Sequence, residues 1–345
     1  MNVKSELSLI RKIRELAVLI RIQQLGTSIT AVIGGLTVKG SSLDLFDFLL
    51  LFIIGIIVNI GGQVHNDIVD FDIDKRSNEL KERPLVKGTI SFKEAKIIIL
   101  FCLFLVFAII LYFYLNIIAL SVLVISFIFG VLYNLYSKKI PGSDLFLSVS
   151  LSLFLLFGAI VVTDDFNSFN DISVLTWIVF ALTFIHVFLM DALGGGLKDA
   201  KNDRESGAKT LAIFLGVRAN NNLDITFSYK FIILFFEFFT IIFAFIPFIF
   251  FSYEYSIYQI ALILLLIVLM VFSTLKLLSF KIFDRKKIKY HNRNHELGGY
   301  VLVPLVLLNV IGFYWAVFLI FFPIIWFMIF NYIFYRDSWV NPKNF

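Results

Sequence analysis

Residues 45–74 read LFDFLLLFIIGIIVNIGGQVHNDIVDFDID. The first twenty are mostly apolar, and about 20 such residues are what an α-helix needs to cross the hydrocarbon core of a bilayer. The run then passes directly into Asp67, Asp70, Asp72 and Asp74. This stretch predicts a membrane-spanning helix that presents a cluster of carboxylates at one membrane surface.

The rest of the chain repeats the apolar pattern. Of 345 residues, 59% are hydrophobic and 16% are charged, whereas soluble domains are about 45–50% apolar and about 25% charged. A soluble enzyme and a disordered chain are therefore excluded. Runs of spanning length occupy residues 16–38, 44–64, 94–115, 117–136, 144–162, 173–193, 229–251, 256–280, 298–317 and 318–335. The last two adjoin, so we expect one all-α membrane domain over 1–345, a bundle of nine or ten unbroken helices.

The location of the charges predicts the orientation. If the N-terminus is cytoplasmic, the basic residues of 4–14, 75–87, 138–139, 198–218 and 281–293 all lie inside, and Lys39 is the outer exception. Positive charge concentrates on the cytoplasmic side of membrane proteins. The net charge of +5 therefore indicates topology, with no nucleic-acid partner. No small-residue cleavage site follows the first basic residues, so no removable signal peptide is predicted. A lone cysteine, Cys102, excludes disulfides within the chain.

The first acidic cluster has a spacing that suits metal binding. Asn66, Asp70 and Asp74 are four residues apart, so on a continuing helix they project from one face. Like charges at this spacing repel, which indicates that a cation lies among them. Oxygen ligands suit Mg²⁺, which usually takes one or two carboxylates together with phosphate oxygens.

A second acidic cluster follows the sixth run. Asp199 and Asp203 repeat the four-residue spacing after Gly194-Gly195-Gly196, on the same predicted membrane face. Either cluster alone is typical of a solvated loop. Both on one face, each flanked by Lys or Arg, favour a site for metal ions and a diphosphate, with the active site at the cytoplasmic face.

Both clusters resemble the signatures of UbiA-type intramembrane prenyltransferases. The first match is Asn66-x3-Asp70-x3-Asp74 with Arg83-Pro84-Leu85 and Gly88, and the second is Asp199-x3-Asp203-Arg204-x2-Gly207-x2-Thr210-Leu211. The resemblance covers nearly the whole chain. It implies a bundle of about nine helices and a Mg²⁺-dependent transfer of a polyprenyl chain from its diphosphate to an acceptor.

The resemblance also assigns roles by position. Asn66, Asp70, Asp74, Asp199 and Asp203 would bind Mg²⁺ and diphosphate, and the four aspartates would be catalytic. Arg21 matches a diphosphate-binding arginine, and Lys138 or Lys139 matches a basic pair. Arg83 and Lys198, beside the motifs, are further substrate-binding candidates. Ile22, Gln24 and the triple glycine depart from the family pattern, and Asp191 lies one residue out of step with an acidic position before the second motif.

The acceptor stays open at this point. The run Gly-Gly-Gly-Leu-Lys-Asp at 194–199 favours a glycerol-phosphate ether lipid precursor with a geranylgeranyl donor. An aromatic acceptor, such as 4-hydroxybenzoate or a quinone or porphyrin precursor, is the alternative. A polytopic transporter is more distant, because transporters usually place ionisable groups near the midplane on broken helices. Membrane lipids are expected to surround the protein whichever of these functions is correct.

Several polar residues receive simpler interpretations. Tyr133 and Tyr136 are candidates to stabilise an allylic cation, although tyrosines near a membrane face usually act as anchors. His186 and Glu237 are expected to form a structural pair within the membrane. His291 and His295, in the basic connection 281–297, are expected in a solvated or lid loop.

Overall fold

The computed structural model describes residues 3–75 and 81–335, and most of them are helical; Arg76, one of the basic residues counted above, lies outside them. The helices are α1 Val3–Leu19, α2 Thr30–Lys39, α3 Leu45–Val69, α4 Phe71–Asp74, α5 Pro84–Lys87, α6 Phe92–Phe113, α7 Ile117–Tyr136, α8 Asp144–Val162, α9 Val174–Leu189, α10 Gly196–Ser206, α11 Leu211–Phe214, α12 Phe227–Phe250, α13 Ile257–Leu278, α14 Arg285–Val306 and α15 Leu308–Tyr335. Strands β1 Arg218–Ala219 and β2 Leu223–Asp224 pair antiparallel. The predicted all-α membrane class is confirmed.

Eight of the described helices are long and apolar enough to cross a bilayer, and the number is nine if the bent pair Arg11–Leu19 and Ile22–Ser42 is one span. Large apolar side chains on these helices are exposed, as at Leu100 (66%) and Phe227 (82%). So much exposed apolar surface is unfavourable in water but matches lipid chains. The chain is therefore an integral membrane protein.

The prediction that the spans are unbroken was wrong at the first one. A 3-10 helix, Ile22–Thr27, separates α1 from α2, and the two pieces are inclined at 52°. Arg21 has the left-handed backbone conformation, with φ 48° and ψ 52°. Trp326 stabilises the break by donating its Nε1 hydrogen to the Ile22 carbonyl at 2.8 Å. The cause is local, because Arg21 and the polar residues after it interrupt the apolar run.

Most of the segment 281–297 is helical, so the loop expected there was wrong. Asp284 caps the N-terminus of α14 by accepting from the backbone N–H groups of Lys286 and Lys287, both at 3.1 Å. From there α14 runs on through Val306. The last apolar stretch breaks at Leu307 and at Gly312, which has φ 77°, so the predicted boundary at residue 317 was also wrong.

Contacts divide the chain into two compact units, of which the first takes residues up to 31, 44–116 and 321 onward. In this unit α3 packs along α6. A Cβ on Gly55 would come within 2.2 Å of the Ser28 carbonyl oxygen, so glycine permits the close approach. The core beside the first acidic motif contains Leu19, Val64, Leu85, Ile90 and Ala95. Leu19, Val64 and Leu85 each lie two positions from Arg21, Asn66 and Arg83, respectively, so their burial in one core brings the three polar side chains to one place.

The second unit takes residues 32–43 and 117–320. Its main packing joins α7 to α8, α8 to α9 and α13 to α14. A buried cluster surrounds the second acidic motif and includes Leu193, Leu197, Ala200, Tyr229 and Ile288. An isolated bridge joins Asn222, in the β hairpin, to Ile282, just before α14. The hairpin thus ties the segment after α10 to the start of α14.

Candidate active site

The first motif continues the helical geometry of α3 past its end. The backbone N–H of Asp70 donates to the Asn66 carbonyl at 2.9 Å, and the N–H of Asp74 donates to the Asp70 carbonyl at 2.9 Å. These are the i to i+4 bonds of an α-helix, so the three residues lie in successive turns on one face, as the spacing predicts.

Two arginines neutralise this face. Arg21 Nη2 lies 2.7 Å from Asp67 Oδ1 and 3.4 Å from Asn66 Oδ1. Arg83 Nη1 lies 3.1 Å from the same Asp67 oxygen and also pairs with Asp74. Asp67 and Asp74 are 5% and 3% exposed, and charged groups so deeply buried need partners. The cation that the repulsion argument requires is thus supplied, in part, by the protein itself.

Asp67 is the residue that sequence analysis missed in this cluster. It does not belong to the four-residue spacing, yet both arginines contact it. Its signal was present, because it is one of four aspartates within eight positions. The left-handed backbone at Arg21 costs roughly 1–3 kcal/mol, and strained residues of this kind cluster at functional sites. Arg21 is thus held in a costly conformation in which it reaches the motif.

The second motif follows an irregular turn. Residues Met190–Gly195 form a π-helix between α9 and α10, where hydrogen bonds span five residues instead of four. On a regular helix at about 100° per residue, Asp191 and Asp199 would project about 80° apart. The π-helix absorbs about one extra residue. It therefore returns Asp191 toward the face of Asp199 and compensates for its one-residue offset in the sequence.

Asp191 has two side-chain partners. Its carboxyl group accepts a hydrogen bond from Tyr133 and shares another with Asp144, at the N-terminus of α8. Asp144 was not predicted, because a single aspartate at a helix start is usually only a cap. Tyr133 was a candidate to stabilise an allylic cation, with membrane anchoring as its more usual role, and the structure shows its hydroxyl hydrogen-bonded to Asp191.

The paired aspartates of the second motif each face a cation. Arg285 Nη2, from the first turn of α14, lies 2.8 Å from Asp199 Oδ1. Asp203 is 4% exposed and interacts electrostatically with Lys138, which is held by a backbone bond from Lys209 N to the Lys138 carbonyl at 2.9 Å. Lys139 is exposed. Of the two lysines left open by the sequence, the structure brings Lys138 to the motif.

The glycines before Asp199 admit α14. Gly194 has Asn292 directly above it, where a Cβ would lie 2.1 Å from Nδ2. Asn292 donates to Glu296 Oε1 at 2.6 Å. Burial raises the pKa of the Glu296 carboxyl, and the charge of Lys198 and the hydrogen bond from Asn292 oppose that rise. Arg285, Asn292 and Glu296 were not predicted, because α14 had been taken as a loop.

Replacing Gly194 by alanine is expected to lower stability by about 1–3 kcal/mol, the usual effect of overpacking a filled interior. The added methyl group would overlap Asn292 and push α14 away from the second motif. Thermal unfolding in detergent measures the change. The matched control is Gly62→Ala in α3, where a Cβ would meet nothing within 4 Å. Equal melting temperatures for the two variants would contradict the packing described here.

The donor set of both motifs fits Mg²⁺. Among residues 3–75 and 81–335 there is no group of three or more His, Cys, Asp or Glu side chains arranged to hold a metal ion without help. This agrees with the habit of Mg²⁺, which takes one or two carboxylates and completes its shell with phosphate oxygens and water. The oxygen donors at Asn66, Asp70, Asp74, Asp199 and Asp203 are of the kind this ion prefers.

The expected pair of His186 and Glu237 is wrong. Glu237 Oε2 lies 3.0 Å from His295 Nε2, and His295 is fully buried instead of lying in a solvated loop. His186 packs edge-on against the ring of Tyr300, with centroids 5.1 Å apart, and fills the space beside Gly299. The error follows from treating 281–297 as a solvated loop, which left His295 out of the buried interior.

The fold and the two motifs define an integral membrane protein with carboxylates at helix ends, each motif paired with basic side chains. The chain belongs to the UbiA prenyltransferase family, whose model matches residues 27–293. The family resemblance seen in the sequence is confirmed.

Curated relatives of the chain include a digeranylgeranylglyceryl phosphate synthase and 4-hydroxybenzoate octaprenyltransferases. The chain is 30% identical to digeranylgeranylglyceryl phosphate synthase of Saccharolobus solfataricus over 202 residues. This aligned length is 58% of this chain and 68% of that protein. The chain is also 30% identical over 173 residues, 49% of this chain, to 4-hydroxybenzoate octaprenyltransferase of Francisella tularensis subsp. novicida. The match spans 57% of the length of that octaprenyltransferase.

Solved structures share the fold. One, of digeranylgeranylglyceryl phosphate synthase, superposes with a TM-score of 0.67 at 22% identity and covers 87% of this chain and 99% of that one. Another, a UbiA homologue from Archaeoglobus fulgidus bound to GPP and Mg²⁺, gives 0.56 at 16% identity, with 84% and 99% covered.

Proposed function

We propose that this protein is a Mg²⁺-dependent prenyltransferase that moves a polyprenyl group from its diphosphate to an acceptor. The observation that carries the proposal is the first motif, where Asn66, Asp70 and Asp74 share a helical face and two arginines reach it. The second motif supports it with Asp199 beside Arg285 and Asp203 beside Lys138. The carboxylates of each motif would hold Mg²⁺ together with diphosphate, and the Lys and Arg side chains beside them would bind diphosphate oxygens.

The charges suit the chemistry of an allylic diphosphate. When its C–O bond breaks, negative charge develops on the diphosphate and positive charge on the prenyl carbon. Bound Mg²⁺ supplies charge that stabilises the leaving diphosphate. Arg21, Arg83, Lys138 and Lys198 add fixed positive charge at the same group, which lowers the barrier because they need no rearrangement as the charge develops. The acceptor nucleophile then bonds to the prenyl carbon and loses its proton.

A carboxylate stands ready to receive that proton. Asp191, hydrogen-bonded to Tyr133 and Asp144, is close enough to Lys198 and Asp199 to interact with their charges. We assign Asp191 to hold the acceptor hydroxyl. In this step the proton passes from the acceptor hydroxyl to the Asp191 carboxylate and then to solvent water.

The two neighbouring lysines allow a matched test of diphosphate binding. Lys138→Ala is expected to raise the KM for prenyl diphosphate about tenfold or more, because it removes a charge beside Asp203. Lys139→Ala removes the same charge from an exposed position, and its KM is expected to stay within about twofold of the wild type. Steady-state kinetics in detergent measures both. A larger effect at Lys139 than at Lys138 would refute the placement of Lys138.

The favoured acceptor is a glycerol-phosphate ether lipid precursor, with geranylgeranyl diphosphate as donor. The support is the 30% identity over 202 residues to digeranylgeranylglyceryl phosphate synthase and the superposition on a structure of such a synthase. A second candidate is an aromatic acceptor, favoured by the similarity to 4-hydroxybenzoate octaprenyltransferase. Transport stays the remote reading: the broken first span is typical of transporters, but the family membership favours the enzyme.

We also propose that residues 1–345 act as one membrane-embedded domain with the N-terminus and the active site on the cytoplasmic side. The support is the one-sided distribution of Lys and Arg in the sequence. Labelling of single cysteines with a membrane-impermeant reagent, at Lys139 and at Glu254 in a Cys102→Ala background, tests the orientation. Labelling of Lys139→Cys in intact cells would reverse the proposed orientation.

Product analysis distinguishes the two acceptor classes. Purified protein is incubated with labelled geranylgeranyl diphosphate, Mg²⁺ and, in separate reactions, a geranylgeranylglyceryl phosphate or 4-hydroxybenzoate. Mass spectrometry is expected to show the doubly prenylated glyceryl phosphate. Prenylated benzoate alone would transfer the assignment to the aromatic class, and no product from either would refute both.

A further inference from the structure

A buried polar network joins three helices of the second unit. Glu237 in α12 is 3% exposed and His295 in α14 is 0% exposed, and their side chains are 3.0 Å apart. Thr274 in α13 also donates to Glu237, at 3.4 Å. The proposed reaction uses none of these groups. Buried polar groups in apolar surroundings are costly to leave without partners, so this contact fixes the relative position of its helices.

Helix α14 carries both His295, which belongs to this network, and side chains that contact the second motif. Arg285 contacts Asp199, and Asn292 packs on Gly194. Their spacing of seven residues, two helical turns, puts them on one face. His295 follows three residues after Asn292, about 60° around the helix from it. Since α14 is continuous from Arg285 to Val306, a shift of His295 moves Arg285 with it.

Packing and hydrogen bonding both hold α14. Gly298 and Gly299 bring its backbone against Met270 of α13 and His186 of α9. The hydrogen bond between Glu237 and His295 depends on distance and direction and therefore constrains the position of α14 in addition to this packing.

We propose that Glu237 and His295 are positioning residues that set the place of α14, and through it the place of Arg285 beside Asp199. Arg285 and His295 are ten residues apart, which is about 15 Å along the helix at 1.5 Å per residue, so the pair acts on Arg285 through the length of α14. Buried polar contacts are known to specify one arrangement more than they add stability. The proposal rests on the proposed function, because it concerns binding of prenyl diphosphate.

Three variants test the pair. Glu237→Leu keeps the approximate side-chain volume and removes the hydrogen-bond partner of His295. It is expected to raise the KM for prenyl diphosphate about tenfold, because small misplacements of binding groups are costly. The kcat is expected to stay within about threefold of the wild type. Glu237→Gln preserves a hydrogen bond to His295 and is expected to restore the wild-type KM. Thr274→Val removes only the weaker hydrogen bond and is expected to raise KM about twofold. It supplies a folded variant for the test if Glu237→Leu does not fold.

A matched control separates positioning from stability. Thr176 is buried and hydrogen-bonded to Thr37 at 2.7 Å, away from α14. Thr176→Val is expected to lower the melting temperature as Thr274→Val does and to leave KM unchanged. Because the pair acts through Arg285, Glu237→Leu in an Arg285→Gln background is expected to raise KM no further.

The outcomes separate the two proposals. An active wild type whose KM is unchanged by Glu237→Leu and Thr274→Val overturns the positioning role and leaves the prenyltransferase assignment intact. So does a full additional KM increase in the Arg285→Gln background. A wild type that releases no diphosphate from any polyprenyl diphosphate overturns the proposed function, and the positioning role fails with it.

Discussion

Replacing Asp70 by asparagine is expected to reduce prenyl transfer at least about 100-fold, the scale of losing a group that stabilises developing charge. The substitution keeps the size of the side chain and removes its negative charge. Asp70 is joined to Asn66 and Asp74 by backbone hydrogen bonds, so its side chain stays on the same face. Turnover of a polyprenyl diphosphate at saturating Mg²⁺ measures the loss.

The control for this variant is two residues away. Asp72 is exposed on the short helix α4, which Asp70 directly precedes, and Asp72→Asn removes the same charge from the neighbouring turn. Its activity is expected to stay within about twofold of the wild type, because an exposed carboxylate is screened by solvent. Equal losses in the two variants would show that overall charge matters and that the face does not.

Asp199→Asn is expected to abolish turnover to a similar extent, at least about 100-fold. Two functions are lost at once, because Asp199 is a proposed Mg²⁺ ligand and is also the partner of Arg285 at 2.8 Å. Without the carboxylate, Arg285 loses the contact that orients it. The matched control is Glu205→Gln, an exposed acid on the same helix α10, whose activity should be nearly unchanged. Near-normal turnover by a folded Asp199→Asn protein would refute the site.

Much of the fold could be predicted from hydropathy. Apolar runs such as 44–64 and 94–115 became α3 and α6, because a helix that faces lipid is apolar all round and leaves a continuous signal. Ser91 and Glu94 have the spacing of a capping box, Ser-x-x-Glu, and the structure has both of its hydrogen bonds. Local chemistry of this kind depends on a few neighbouring residues, which a sequence shows directly.

Helix α14 shows where this reasoning fails. Its first turns carry Arg285, Asn292 and Glu296, so its hydropathy resembles that of a loop. Its polar side chains face the second motif and the buried Glu237. The partners that satisfy their hydrogen bonds and charges come from positions far along the chain. The same applies to Asp67, whose two arginines come from positions 21 and 83. Partners of this kind become visible only once the chain is folded.

The π-helix at Met190–Gly195 is a second example. No residue type marks it, since Gly194 and Gly195 are equally compatible with a turn or a helix. Its effect is a change in register that returns Asp191 toward the second motif. The triple glycine, which first appeared as a departure from the family, has a packing role: Gly194 admits Asn292, and Gly196 lies beside the Tyr229 hydroxyl.

Release of diphosphate from geranylgeranyl diphosphate, with and without Mg²⁺, tests the central claim most directly. Purified protein with a panel of lipid and aromatic acceptors is expected to release diphosphate in step with prenylated product when Mg²⁺ is present. Release should cease with EDTA and return when Mg²⁺ is restored. No Mg²⁺-dependent release from this or any other polyprenyl diphosphate would contradict the account.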